Sequence, residues 1–220
     1  MSTSGYVIYI CDTETTGLDP EQNEVIELSM SRLIPQENGS YDESQETWLI
    51  KATNPSSISD EALAVNGHKR EDILHISKYG KDNYKLPSVA IDEIESWILQ
   101  DNVSAIDRIF AGQNPTFDIN MITSFWKRHG RAPEDFPFAI DRGNRVIDTR
   151  MIVTLFDICT GRRRKYYGLG QLVKACSVKK DKAHRADGDV RMTRDLLLKL
   201  VSIIQPAVKE NFSSCYSDDE

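Results

Sequence analysis

The segment from Tyr6 to Pro20, Tyr-Val-Ile-Tyr-Ile-Cys-Asp-Thr-Glu-Thr-Thr-Gly-Leu-Asp-Pro, constrains the fold more than any other part of the chain. Tyr6 to Cys11 is a run of β-branched, aromatic and aliphatic residues suited to one buried strand. It ends in two carboxylates, Asp12 and Glu14. Residues two apart in an extended chain point to the same side, so both acids face one point at the strand's end. Two unpaired anions held there are costly to desolvate. A divalent cation bound through carboxylate oxygens removes that cost, and magnesium takes protein carboxylates together with substrate phosphate oxygens. The alternative is a strand end with solvated acids. Thr15, Thr16 and Gly17 then break the strand, and Leu18-Asp-Pro20 turns the chain outward.

Further strands follow. Glu24 to Ile34 alternates apolar and polar residues over part of its length and stops at Pro35, Glu37 to Ser40 reads as a turn, and Glu46 to Lys51 is a third strand. Short links make these three an antiparallel meander. Ser59 caps a short helix through Val65, ended by Asn66-Gly67. His75 to Lys85 reads as loop. Pro87 opens a helix with Ala90, Ile91, Ile94, Trp97 and Ile98 on one face. Arg108 to Gly112 is a strand, Thr116 to His129 a helix, Arg131 to Phe138 a Pro-containing connection, and Arg145 to Asp148 a fifth strand. Helices are expected over Met151–Cys159, Gly168–Cys176 and Ala186–Ile204, with Pro206 ending the last. This order predicts an α/β domain with a mixed sheet over residues 1–208, followed by an acidic, disordered tail at 209–220.

A chain of 220 residues is long enough for one domain with a full core. No apolar run approaches the roughly 18 residues of a membrane span. The first residues, Met1 to Gly5, lack the basic-then-apolar pattern of a secretory signal. Cys11, Cys159, Cys176 and Cys215 are scattered, which argues against structural zinc and a disulfide framework and favours a reducing, cytoplasmic setting with indifferent thiols. The net charge of −7 argues against electrostatic coating of nucleic acid but not against an enzyme acting on it. Basic residues concentrate between Arg162 and Arg185, either as a phosphate-contacting surface or as a solvated loop.

Two more acids extend apolar helical stripes. In the helix at 116–129 the inward residues are Met121, Ile122, Phe125 and Trp126, and one turn earlier on that face stands Asp118. In the last helix Leu196, Leu197, Leu200 and Ile203 or Ile204 form the inward face, which leads through Thr193 to Asp189. Acids near helix starts also gain from free N–H groups and the helix dipole. His184 lies five residues before Asp189, on a loop that reaches the same end of the sheet. Asp148, at a strand end, is a candidate outer group. Four carboxylates suit two hard cations about 4 Å apart, the arrangement used for in-line displacement at phosphorus. A neutral histidine is matched in pKa to deprotonate a water near pH 7.

Asp12-Thr-Glu-Thr-Thr-Gly-Leu-Asp19, Asn114-Pro-Thr-Phe-Asp118 and His184-Arg-Ala-Asp-Gly-Asp189 resemble the three exonuclease motifs of the DEDD superfamily, histidine subclass, which includes proofreading subunits of bacterial replicases. The resemblance runs from about Tyr6 to Ile204, and Asn66-Gly-His68, Asp148-Thr149 and Leu169 to Val178 agree with it. It implies a ribonuclease-H-like fold, with three antiparallel strands then two parallel ones in a five-stranded sheet flanked by helices. It also implies hydrolysis from a 3′ end releasing nucleoside 5′-monophosphates. By that resemblance Asp12, Glu14, Asp118 and Asp189 bind two divalent cations, Mg2+ or Mn2+, and His184 is the general base. Thr15, Thr16, Gly17, Leu18 and Asn114 would line the terminal nucleotide, with Leu18 packed on its base. Gln113 departs from the histidine many relatives carry before the asparagine.

The expected substrate is the 3′ end of single-stranded DNA in preference to RNA, with no membrane partner. No sequence feature marks a polymerase or other replication or repair partner. Two alternatives stand beside this reading. One is a 3′–5′ exoribonuclease on the same fold, discriminated by contacts to the 2′-hydroxyl. The other is a non-catalytic module that binds nucleic acid or a polymerase.

Overall fold

The computed structural model describes residues 5–74, 83–180 and 185–211. Five strands form one sheet: β1 (Val7–Thr15), β2 (Val25–Pro35), β3 (Tyr41–Leu49), β4 (Arg108–Gly112) and β5 (Val146–Asp148), in the order β3-β2-β1-β4-β5. β1 pairs antiparallel with β2 and β2 with β3, whereas β1–β4 and β4–β5 are parallel. This is the mixed, ribonuclease-H-like arrangement implied above.

The helices are α1 (Asp60–Asn66), α2 (Arg70–Ile73), α3 (Pro87–Leu99), α4 (Pro115–Arg128), α5 (Thr149–Cys159), α6 (Leu169–Ala175) and α7 (Ala186–Asn211). Their caps follow from sequence. The Ser59 side chain accepts the Ala62 N–H, and Gly67 closes α1 in the left-handed region at φ 73°. The one-turn α2 was not expected. α7 continues through Pro206 and past the expected boundary at 208. Proline removes one backbone donor but does not stop a helix whose last turns face solvent. For the same reason the buried face of α7 ends at Leu200: Ile203 is half exposed and Ile204 only partly covered. The residues 75–82 of the expected loop and 212–220 of the tail lie outside the described residues.

Side chains on the two sheet faces build separate layers. Val7, Tyr9 and Cys11 of β1 join Leu28, Met30, Trp48 and Phe110 under α3 and α4. Ile10, Leu33 and Ala111 pack on the other face against Val190 and Leu197 of α7. β2 is consequently buried on both sides from Val25 to Leu33. Its partial alternation therefore does not mark a solvent face, since α7 covers Glu27, Ser29 and Ser31. Strand lengths also differ from expectation. β1 extends beyond Cys11 to Thr15, and β3 begins at Tyr41, because pairing with β2 carries polar residues into the ladder. No described helix is long and apolar enough to cross a membrane.

Candidate active site

The parallel register of β1 with β4 ends at Ile10–Ala111, whereas β1 stays paired to β2 as far as Thr15. The carboxyl ends of two parallel neighbours therefore part here, the usual ligand position in such sheets. Asp12 and Glu14 share the face of Ile8 and Ile10, the side covered by α7. The first turn of α7 carries Asp189. One carboxylate oxygen from each of Asp12, Glu14 and Asp189 lies within 4.8 Å of the others.

Asp118 enters from the opposite face, on the first turn of α4, where it is almost fully buried. Its Oδ1 accepts the Thr13 N–H at 2.9 Å and the Thr13 hydroxyl at 2.8 Å. Thr13 thus ties the fourth acid to the strand residue between the other two. Among nearby charges, Asp118 repels Asp12 most strongly, ahead of Asp189, Glu14 and Glu27.

Burial, then this mutual repulsion, holds the Asp12 carboxyl well above the ordinary carboxylate range. Burial and the charges of Glu27 and Asp189 push Glu14 up to about 8, with Arg185 acting the other way. Burial raises Asp118 to about 7 despite the hydrogen bonds from Thr13. Acid groups so arranged retain protons unless a cation replaces them. The donor set is all carboxylate oxygen, with no sulfur or imidazole in the group of three. It therefore fits hard divalent cations such as magnesium or manganese.

The expected substrate loop is internally committed at its base. The Thr15 hydroxyl donates to Gly17 O at 2.6 Å, and Thr16 Oγ1 accepts the Glu24 N–H at 2.9 Å. Both threonines are buried, whereas Leu18 is 81 % exposed at the tip. A Cβ on Gly17 would lie about 2.5 Å from Asn23, whose side chain links the loop to Asp19 N and Ser57 O. Asn114 precedes α4 in the left-handed region, its N–H on Asp148 Oδ1 at 3.2 Å and its Oδ1 accepting from Arg150 at 2.6 Å. Asp148 also caps α5, so it joins the end of β5 to the turn before Asp118. Gln113 donates to Tyr167 O at 2.6 Å and accepts the Thr149 hydroxyl at 2.6 Å, bracing that turn from behind. His184 lies outside the described residues.

Sequence reasoning missed Thr13, Glu27, His68 and Arg185. Glu27 faces Glu14 across the β1–β2 ladder. Its side chain is fully buried, and Oε2 accepts from His68 Nε2 at 2.8 Å and from Arg185 Nη2 at 3.1 Å. The available signal was an acid between Ile26 and Leu28 in the middle of an apolar strand.

The chain is similar to several known proteins. A family model described as Exonuclease (RNase_T) matches residues 9–197. The chain is 29% identical over 201 residues to a protein of Lacticaseibacillus paracasei named DNA polymerase III PolC-type, covering 91% of this chain and 11% of that one. It is 27% identical over 196 residues to the Staphylococcus aureus protein of the same name, covering 89% and 11%. The chain thus spans about a tenth of the length of these relatives. Among solved structures, E. coli exonuclease I in complex with a dT13 oligonucleotide has a TM-score of 0.67 at 17% identity, covering 93% of this chain and 43% of that one. Cell-death related nuclease 4 has a TM-score of 0.70 at 14% identity, covering 90% and 64%.

Proposed function

The chain belongs to the Exonuclease (RNase_T) family, and on that premise we propose that it hydrolyses single-stranded DNA from the 3′ end, releasing nucleoside 5′-monophosphates. The observation that carries the reading is the convergence of Asp12, Glu14 and Asp189 from two elements, with Asp118 tied in through Thr13. Single-stranded DNA as substrate is supported by the named neighbour, an exonuclease in complex with dT13. The described cysteines are unpaired thiols, in keeping with a reducing, cytoplasmic setting.

Asp12, Glu14, Asp118 and Asp189 would hold two divalent cations, magnesium or manganese. Bound there, such ions acidify the attacking water and offset charge on the scissile phosphate and leaving oxygen. Asp12 feels all three other carboxylates and so couples both halves of the site. His184 accepts the proton of the attacking water. The water oxygen bonds to phosphorus, the bond from phosphorus to the 3′-oxygen breaks, and that oxygen takes a proton from solvent. Leu18 presents an apolar surface to the terminal base, and the loop Thr15–Gly17 with Asn114 shapes the slot around it.

The test is a time course on matched 5′-labelled DNA and RNA strands with magnesium, manganese or EDTA, beside the Asp12→Ala protein. A metal-dependent ladder that the variant lacks is expected, faster on DNA. A faster RNA ladder would make the chain an exoribonuclease. Intact strands under every condition would leave a binding module.

A further inference from the structure

We propose that Glu27 and Arg185 are positioning residues that set Asp189 against Asp12 and Glu14. The proposal rests on the reading above only in taking Asp189 as a cation ligand.

The starting observation is a carboxylate where an apolar side chain would be cheaper. Glu27 is fully buried near the start of β2, directly opposite Glu14 in the ladder, and its Oε1 finds no hydrogen-bond partner among the described residues. A buried anion beside other anions destabilises a fold unless its partners do something an apolar residue could not. Its partners come from separate places. His68, which follows the left-handed Gly67 at the end of α1, donates from Nε2, and its Nδ1 lies 2.5 Å from the Tyr84 hydroxyl. The guanidinium of Arg185 supplies the other contact.

Arg185 is where the chain enters α7. Its carbonyl accepts the N–H groups of Gly188 and Asp189, both at 3.0 Å, so its main chain is bonded directly to the amide of the metal-site acid. One residue therefore grips Glu27 with its side chain and Asp189 with its backbone. A second tie acts in the same sense, since Gln45 Nε2 of β3 donates to Asp187 O at 3.1 Å. The first turn of α7 is thus pinned to β2 and β3, and through the Glu14–Glu27 pairing to the strand that carries the other acids. Groups that orient metal ligands in this way commonly change metal affinity about 10–100-fold when removed.

Manganese binding to the purified full chain, followed by electron paramagnetic resonance and calorimetry without nucleic acid, separates positioning from simple electrostatics. Arg185→Ala removes a positive charge beside the acids, so charge alone predicts unchanged or tighter binding. Positioning predicts binding weaker by about tenfold. Glu27→Gln should weaken binding similarly, and the double variant should be no weaker than Arg185→Ala alone, because the two act as one link. Arg185→Lys, which keeps a cation facing Glu27, should recover most of the loss. Arg185 is half exposed, so its variants remain informative even if Glu27→Gln fails to fold. Unchanged or tighter binding in Arg185→Ala would overturn the positioning role while leaving the metal site intact. Failure of the unaltered protein to bind manganese would remove the site itself and the proposal with it.

Discussion

Two clusters of charge lie against opposite faces of β1, one reached through Tyr9 and the other through Asp12 and Glu14. Under α3 and α4, Asp101 and Arg108 form an ion pair at 2.7 Å with side chains 0% and 3% exposed. Asp101 also accepts from the Tyr9 hydroxyl at 2.7 Å and the Val103 N–H at 3.1 Å, and Arg108 donates to Pro137 O and Val103 O. Although burial alone would raise it, these donors hold the Asp101 carboxyl below its ordinary range. Under α7, Asp12, Glu14 and Asp189 crowd together, and Asp12 and Glu14 are pushed upward. β1 thus touches, through Tyr9, one cluster whose cation is built into the chain, and itself carries two acids of another whose carboxylates outnumber their nearby cation. The first is scaffold; the second is the set of acids proposed above to hold divalent cations.

Substitution separates the two. Asp12→Asn removes one negative charge at nearly constant shape. Turnover on a single strand should fall at least ~100–1000-fold, as when one preorganised electrostatic group is removed from an active site. Thermal melting in EDTA should nevertheless stay level or rise, because a buried carboxyl disfavoured as an anion is replaced by a neutral amide of nearly the same shape. A large drop in melting temperature would show that Asp12 is structural. Arg108→Met is the converse. It strands Asp101 in the interior and should cost about 3–5 kcal/mol in urea unfolding. The cleavage rate per folded molecule should stay within about twofold, since separate sites act independently. A rate loss matching that of Asp12→Asn would merge the two regions into one.

The difference between the clusters also explains what could be read before the structure. Asp12 and Glu14 were legible because strand periodicity puts alternate residues on one side, and Asp118 and Asp189 because helical periodicity aligns them with apolar stripes. Each inference used only local geometry. Glu27 was not legible in this way. An acid in a strand looks solvent-facing until α7, from far along the chain, covers that side of β2. Arg185 read as one member of a basic run for the same reason, its partner being distant in sequence. The antiparallel meander followed from short links and the two parallel strands from the resemblance, whereas the ends of β1, β3 and α7 did not follow, because pairing and solvent exposure overrode local composition.

A pH titration compares the two clusters in a single experiment. Glu14 moves from an ordinary 4.5 to about 8, Asp118 from 3.8 to about 7, and Asp12 well above 3.8. A carboxyl raised in the folded state binds more protons folded than unfolded between its two pKa values. Its contribution to stability is therefore full below the unfolded value and is lost as pH rises through the folded one. Metal-free protein should lose stability steadily from about pH 4 to pH 8. Asp101, lowered in the fold, has the opposite sign. Its contribution is present above 3.8 and lost as pH falls further, through its folded pKa. The unliganded protein should thus be most stable near the bottom of the first window, with Asp101 setting the acid limb. Saturating magnesium displaces protons from the site and should flatten the upper limb without moving the acid one. Denaturant titrations across this range, in EDTA and in magnesium, measure both limbs at once. An upper limb unchanged by magnesium would mean that the raised carboxylates do not bind the ion.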